Sequence, residues 1–357
     1  MKKYAYILMV LSGVLTAQCS KVTLEEICGH PSAPGGENNG GTGGEGEGNG
    51  DYNSYWYYSY EAAQQINAQT LGMETAEDFT PYTVAHLGDT LFIANIGKAG
   101  NSLLLFSIKK GERLGALQTW QHDGGEKSFG SPIEAIVPSG NRLYVAERQS
   151  RIHVFRLPEL SYLTCIGNGQ WSGPVFQAQA MTVKDGLIFA RDKNGMVSIY
   201  KEEDATPENY QKVNRYRRAS GNGYYLLFAS GATEKCVLLT DYEGKKIRVL
   251  DPALVNDDLA NDASIDLDDL SLSPGFKPKT LALCGERWYA TGDNDAINIY
   301  ERRPNEWSKQ IKSIKGYAFS QPARIYAQND SVLWVSDTHS SKRALVKMLV
   351  HKGEIRE

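Results

Sequence analysis

The chain has 357 residues, enough for one large or two ordinary domains, with 38 basic and 42 acidic side chains and a net charge of −4. That balance lacks the basic field a nucleic-acid partner needs, which argues against one. Twenty tyrosines, six tryptophans and 35 glycines favour strands and turns over helices, and five cysteines are too few for a disulfide framework at this length.

At the N-terminus, Lys2 and Lys3 precede the apolar run YAYILMVLSGVLTA. The run has the length of a secretory signal and is too short to cross a bilayer as a helix. It ends LTAQC, which resembles the lipobox of bacterial lipoproteins. The resemblance implies that residues 1–18 are a removed signal peptide and that Cys19 is diacylated as the mature N-terminus. Gln18 departs from the small residue usual at its position. Residues 35–50, GGENNGGTGGEGEGNG, hold nine glycines and no apolar side chain. Such a segment cannot bury enough surface to offset its ordering entropy, so residues 19–52 are expected to form a flexible tether. The 33 residues from Cys19 to Asp51 would reach about 30 Å on average. A lipid, a tether and a folded body (53–357) suit a domain held off a membrane, expected here to be the outer membrane of a Gram-negative envelope. No other segment is apolar enough to span. The aromatic stretch YNSYWYYSYE (52–61) is expected to cover the side or bottom of the folded domain.

From residue 80 onward one phrase recurs. Six apolar–apolar–small strands stand at LFIAN (91–95), LYVAE (143–147), LIFAR (187–191), VLLTD (237–241), WYATG (288–292) and LWVSD (333–337). Their last residues are 52, 44, 50, 51 and 45 positions apart. A shorter apolar strand precedes each copy, and an alternating strand follows each: LLLFS, RIHVF, MVSIY, KIRVL, AINIY and ALVKM. A more polar fourth strand, such as ELSYLTCIG (159–167), fills the remainder. Four strands in about 48 residues, repeated, are the signature of a β-propeller. The expectation is an all-β fold of six four-stranded antiparallel blades. No amphipathic helix recurs between the strands, which disfavours a βα barrel. The sixth copy stops where its fourth strand should begin, and INAQTLG (66–72) is expected to supply it, closing the ring from the N-terminus.

The phrase LYVAE…RIHVF, with prolines before the first strands (Pro81, Pro132, Pro174, Pro278, Pro322), resembles the NHL-repeat family of six-bladed propellers over residues 66–357. The aspartate usual after the second strand stands only at Asp241 and Asp337. The family is functionally mixed, so the resemblance implies either a binding platform or a metal-dependent lyase or hydrolase.

Loops joining strands two and three, and those joining blades, share one face of a propeller, where a ligand is expected. The acids Glu147, Asp192, Asp241, Asp293, Asp295 and Asp337, with His339, fall in or near the former. Some of them, chiefly Glu147, Asp241, Asp337 and His339, could ring calcium or another divalent cation. Their recurrence in register favours bonding to their own turns instead. Among the blade-to-blade loops, TWQHDGGEKSFGSP carries Trp120 and His122, GNGQWSGP carries Trp171, and VNRYRRASGNGYY carries Arg217 and Tyr224. These five are the expected ligand residues, since rings stack on aromatics. Phe79, Phe129 and Phe319, just before blade-start prolines, are expected to wedge between blades. His153, mid-strand, is expected to face outward, and Cys165, Cys236 and Cys284 to pack as small hydrophobes. No nucleophile elbow, HExxH or phosphate-cradling loop is present. The expected function is a lipid-anchored, monomeric binding module for a glycan or cofactor, or for a membrane transporter partner. The alternative is a metal-dependent lyase or hydrolase.

Overall fold

A computed structural model describes residues 54–356, leaving aside 168, 170–174, 176, 193–196, 210–216, 220–236, 243–245, 251–267, 272–275, 285–286 and 302–308. Cys19, the tether, Trp171 and Tyr224 therefore lie outside the described residues, as do Cys236 and the predicted first strand of the fourth copy.

The chain is a β-propeller. Five of the six recurrent phrases are second strands of antiparallel sheets, paired on one side with the short apolar strand before them and on the other with the alternating strand after; the fourth, Val237–Asp241, is described with the strand after it. Sheet 1 comprises Pro81–Leu87, Thr90–Gly97, Gly100–Ser107 and Glu112–Leu117. Sheet 2 comprises Ile133–Ser139, Arg142–Glu147, Arg151–Arg156 and Ser161–Ile166, and sheet 3 Ala180–Lys184, Leu187–Arg191, Val197–Lys201 and Arg217–Ala219. Sheet 5 comprises Thr280–Cys284, Arg287–Thr291, Ile297–Glu301 and Lys309–Ile311. Sheet 6 holds Pro322–Asn329, Val332–Asp337 and Ala344–Arg356 with Ser54–Ile66 outermost. Five sheets thus have four strands, against six expected. Sheet 4 has three described strands, Val237–Asp241, Lys246–Leu250 and Asp268–Ser271, because residues 225–231, its predicted first strand, are not among those described.

Local chemistry explains the pattern. Second strands such as Leu91–Ala94 and Leu143–Ala146 are buried on both faces, which an uninterrupted apolar run permits. The hairpin between the first two strands of sheet 3 turns at Asp185 and Gly186, with φ of 49° and 76°. Two consecutive positive values match the twist of the flanking strands and suit this Asp-Gly pair. Phe79, Phe129 and Phe319 are buried as the wedge reading required. Each contributes about 2–3 kcal/mol through the apolar surface removed from water.

The ring is closed by the N-terminal strand, but one segment earlier than expected. Ser54–Ile66 pairs antiparallel with Ala344–Arg356, from Ser54 opposite Arg356 to Ile66 opposite Leu345. The aromatic stretch is therefore mostly the closing strand itself. INAQTLG contributes only its isoleucine to that strand. Asn67 and Thr70 bond each other's backbone at 2.9–3.0 Å and fold the segment into a turn. Leu71 and Ala68 of this turn are buried with Phe79 and Trp334 between sheets 6 and 1. The outer edge of the closing strand is itself covered in part: the Ala62 N–H donates to the Lys315 carbonyl and the Lys315 N–H to the Tyr60 carbonyl.

In sheets 1, 2, 3 and 6 the last residue of the recurrent phrase has a common task. The Asn95 side chain accepts from the Thr80 N–H at 2.8 Å and donates to the Asp78 carbonyl at 2.9 Å. Glu147 accepts from the Ser131 N–H, and Arg191 donates to Gln179 at 2.7 Å. Asp337 accepts from the N–H groups of Ser320 and Gln321 at 2.8 and 2.9 Å. In every case the partner lies in the loop that leads into the same sheet. Asp337 is fully buried and also accepts from the Tyr317 hydroxyl. Replacing Asp337 with Ala should therefore lower unfolding free energy by about 3 kcal/mol, since the buried Tyr317 hydroxyl and two backbone N–H donors lose a charged acceptor. Urea melts of the two proteins measure this, and a loss under about 1 kcal/mol would count against the clamp.

Candidate functional site

The first strands are the innermost, and together they bound a central cavity of about 390 Å³. Sheets 1, 2, 3, 5 and 6 all contribute to its wall. Between its ends the wall is mostly apolar, with Val84, Ile136, Met181, Leu281 and Ile325 beside Thr83 and Thr182. Charge and hydrogen-bonding groups gather at the two ends, with Tyr82, Glu134 and Arg324 near the starts of their first strands and His86 and Lys184 near the finishes.

The end where the first strands begin holds a four-residue network drawn from three sheets. Glu134 is its centre, and its side chain is 2% exposed. Arg148, from the turn after the second strand of sheet 2, places Nε 2.6 Å and Nη2 2.5 Å from Glu134 Oε1. Arg324 of sheet 6 donates from Nη2 to Glu134 Oε2 at 3.1 Å and to the Tyr82 hydroxyl at 2.7 Å. Its guanidinium also lies over the Tyr82 ring, 4.5 Å from the centroid. Arg324 is 14% exposed, whereas Arg148 is 49% exposed and faces the solvent at the mouth. Burial works against the charge of Arg148, but Glu134 beside it prevails and holds its pKa above the ordinary value. Lys279 of sheet 5 joins this end and pairs with Asp293 at 2.5 Å. Burial and the nearby charge of Arg324 lower its pKa.

At the opposite end, His86 Nδ1 lies 2.8 Å from the Tyr326 hydroxyl, which also accepts from the His86 N–H at 3.2 Å. Burial lowers the His86 pKa and pushes Tyr326 up to about 12. Lys184 lines the same end.

The described members of the expected ligand set, Trp120, His122 and Arg217, sit elsewhere. Trp120 belongs to a short hairpin, Thr119–His122 with Gly125–Ser128, laid over the outer strands of sheet 2. Its ring is 8% exposed, stacks on Tyr162 at 5.4 Å and meets Phe155 and His153 edge-on. His122 packs against Tyr162 and reaches Asp123 at 3.2 Å. Neither lines the cavity. The backbone of Arg217 lies in the outermost strand of sheet 3. The same hairpin corrects the outward placement of His153: it covers that residue, which is buried with Nε2 3.4 Å from Glu147. A strand position that alternation turns to solvent is here roofed by the hairpin that precedes the sheet.

Of the candidate cation ligands, Glu147 and Asp337 are buried and committed to backbone N–H groups. Burial raises the Glu147 pKa, but His153 and Arg151 outweigh it and hold the carboxyl below the usual value. His339 bonds Ser341 through Nδ1 at 2.7 Å. Asp241 ends the second strand of sheet 4. Among the described residues no three His, Cys, Asp or Glu side chains converge as a metal cluster. Cys165 and Cys284 are free and buried, and burial pushes both thiols up to about 12.

No protein-family model matches the chain, and no curated protein does. Solved structures do. A structural-genomics protein of unknown function from Bacteroides thetaiotaomicron VPI-5482 superposes with a TM-score of 0.53 at 10% identity, covering 84% of this chain and 77% of that one. U3-55K gives a TM-score of 0.55 at 10% identity, covering 81% and 99%. The β-propeller domain of Cps50 (Swd1) from Myceliophteria thermophila gives 0.50 at 12% identity, covering 82% and 100%. What these share with the chain is the propeller fold. At such identities no activity carries across.

Glu134, Arg148, Arg324, Tyr82 and Lys279 were not among the expected site residues. One signal could have found four of them: they stand one or two positions after Pro81, Pro132, Pro278 and Pro322, where a polar residue interrupts an apolar strand.

The His86 pKa has a consequence for stability. A histidine held below its ordinary value takes up a proton on unfolding, so the stability it allows is complete above about pH 6.5 and falls as pH drops toward the lowered folded value. The Tm should fall between about pH 7 and about pH 5, and His86→Gln should flatten that slope. Calorimetric scans across the range measure both.

Proposed function

We propose that this chain is a lipid-anchored binding module: a six-bladed propeller, held off a membrane by its tether, that takes a small molecule into the central channel. The observation that carries this reading is the cavity of about 390 Å³, with apolar walls and a network of buried and half-buried charges at one end. A few convergent polar groups above an apolar pocket of this size are what a small-molecule site requires. Sheet 4 supports the count of six, since its strands are those of the fourth repeat. The Lys2–Lys3 and LTAQC leader supports the anchor at Cys19 on an outer membrane, and a transporter in that membrane is the partner such a module would serve.

Two substitutions test the reading separately. Cys19→Ser should move the protein from the membrane fraction to the soluble fraction, seen by fractionation and immunoblotting. Thr182→Trp, at a half-buried wall position, should fill the channel. Small molecules extracted from wild-type protein purified in mild detergent should be missing from that variant, with its melting temperature nearly unchanged. Identical extracts from both proteins would overturn the channel as the site.

A further inference from the structure

Resting on the channel as the ligand site, we propose that its mouth binds a small organic carboxylate, with the anionic group held by Arg324 and Arg148 beside the Tyr82 hydroxyl and the apolar body inside the channel.

Charge counting comes first. Two guanidiniums share the single carboxylate of Glu134, so the network carries one uncompensated positive charge. Lys279 and Asp293 cancel each other beside it. Among the described residues of the cavity wall, Arg324 and Lys184 stand against Glu134. The depressed Lys279 pKa reports the same field, since it falls partly through the charge of Arg324. Low-dielectric walls concentrate such a field at the mouth.

Donor counting agrees. A guanidinium offers five N–H donors. Among the described residues, both side-chain bonds of Arg324 leave from Nη2, so its Nε and Nη1 protons are available to a second acceptor. The bond from Arg324 to Glu134 shows that the site already accepts a carboxylate oxygen, at 3.1 Å. A guanidinium fork matches the planar carboxylate better than it matches a spherical ion. Below the network, Val84, Ile136 and Met181 offer surface to a hydrocarbon or aromatic body. Inorganic phosphate would leave that surface unused.

Glu134 therefore competes with the ligand for the same two guanidiniums. Its neutral isostere should strengthen binding, which a purely structural network would not do. Titration calorimetry on the full chain at low salt, with benzoate, benzamide and inorganic phosphate as probes, tests this. Benzoate is expected to bind at least tenfold more tightly than benzamide and more tightly than phosphate. Arg324→Gln should weaken benzoate at least tenfold, and Glu134→Gln should tighten it several-fold. Melting curves check that each variant folds. Should Arg324→Gln not fold, Arg148→Gln, at a half-exposed position, must show the same loss. Equal binding of benzoate and benzamide, both abolished by Thr182→Trp, overturns the anion while leaving the channel as the site. Tighter binding of phosphate than benzoate overturns the organic ligand. No benzoate binding to either wild type or Glu134→Gln overturns the proposal outright. The channel itself fails only if the extracts from wild type and Thr182→Trp also agree.

Discussion

A propeller needs its loops between blades held to the sheets they enter, and in sheets 1, 2, 3 and 6 one buried side chain does this. Asn95, Glu147, Arg191 and Asp337 end their second strands and each turns back to the incoming loop. The chemistry differs, amide, acid or guanidinium, but the geometry is shared. An unsatisfied polar group in a closed interface costs more than a water-exposed one, so each such side chain keeps its partner tightly. In these four sheets the recurrent residue clamps the incoming loop, where its register had favoured a bond to its own turn.

A second link joins neighbouring sheets, and it is uneven around the ring. The fourth residue of each recurrent phrase is Thr240, Thr291 or Ser336 in sheets 4, 5 and 6, but alanine (Ala94, Ala146, Ala190) in sheets 1, 2 and 3. The hydroxyls donate to the carbonyls of Lys279, Ala323 and Tyr82, each one residue past a blade-start proline in the next sheet. Sheets 4, 5, 6 and 1 are thus stitched in series. Sheets 6, 1 and 2 are joined instead by Arg324, Tyr82 and Glu134, and the Tyr82 residue belongs to both systems, through its carbonyl and its hydroxyl. The mouth network therefore has a structural as well as an electrostatic role, which is why Glu134 is buried so completely.

Much of the architecture was legible in the sequence because strands of one sheet are neighbours along the chain. The period near 48 residues, the apolar second strands and the alternating third strands all reflect local pairing and burial on both faces. Closure by the N-terminus was legible as a missing strand, but its register was not. Ser54–Ile66 won over residues 66–72 because Asn67 and Thr70 satisfy each other in a turn, a preference visible only beside the alternative. The site was poorly legible. Trp120 read as a ligand residue in a loop and His153 as an outward-facing strand residue, and both are buried because a hairpin from one blade lies on the next.

By itself the sequence determined the repeat, the strand order within each sheet, the wedging phenylalanines and the expectation of closure, all consequences of patterns within about fifty residues. Tertiary structure decided which charges meet. Tyr82, Glu134 and Arg324 are separated by up to 242 positions along the chain, and no periodicity relates them. Only the ring brings three first strands to one axis, and there one carboxylate and two guanidiniums become a single electrostatic unit.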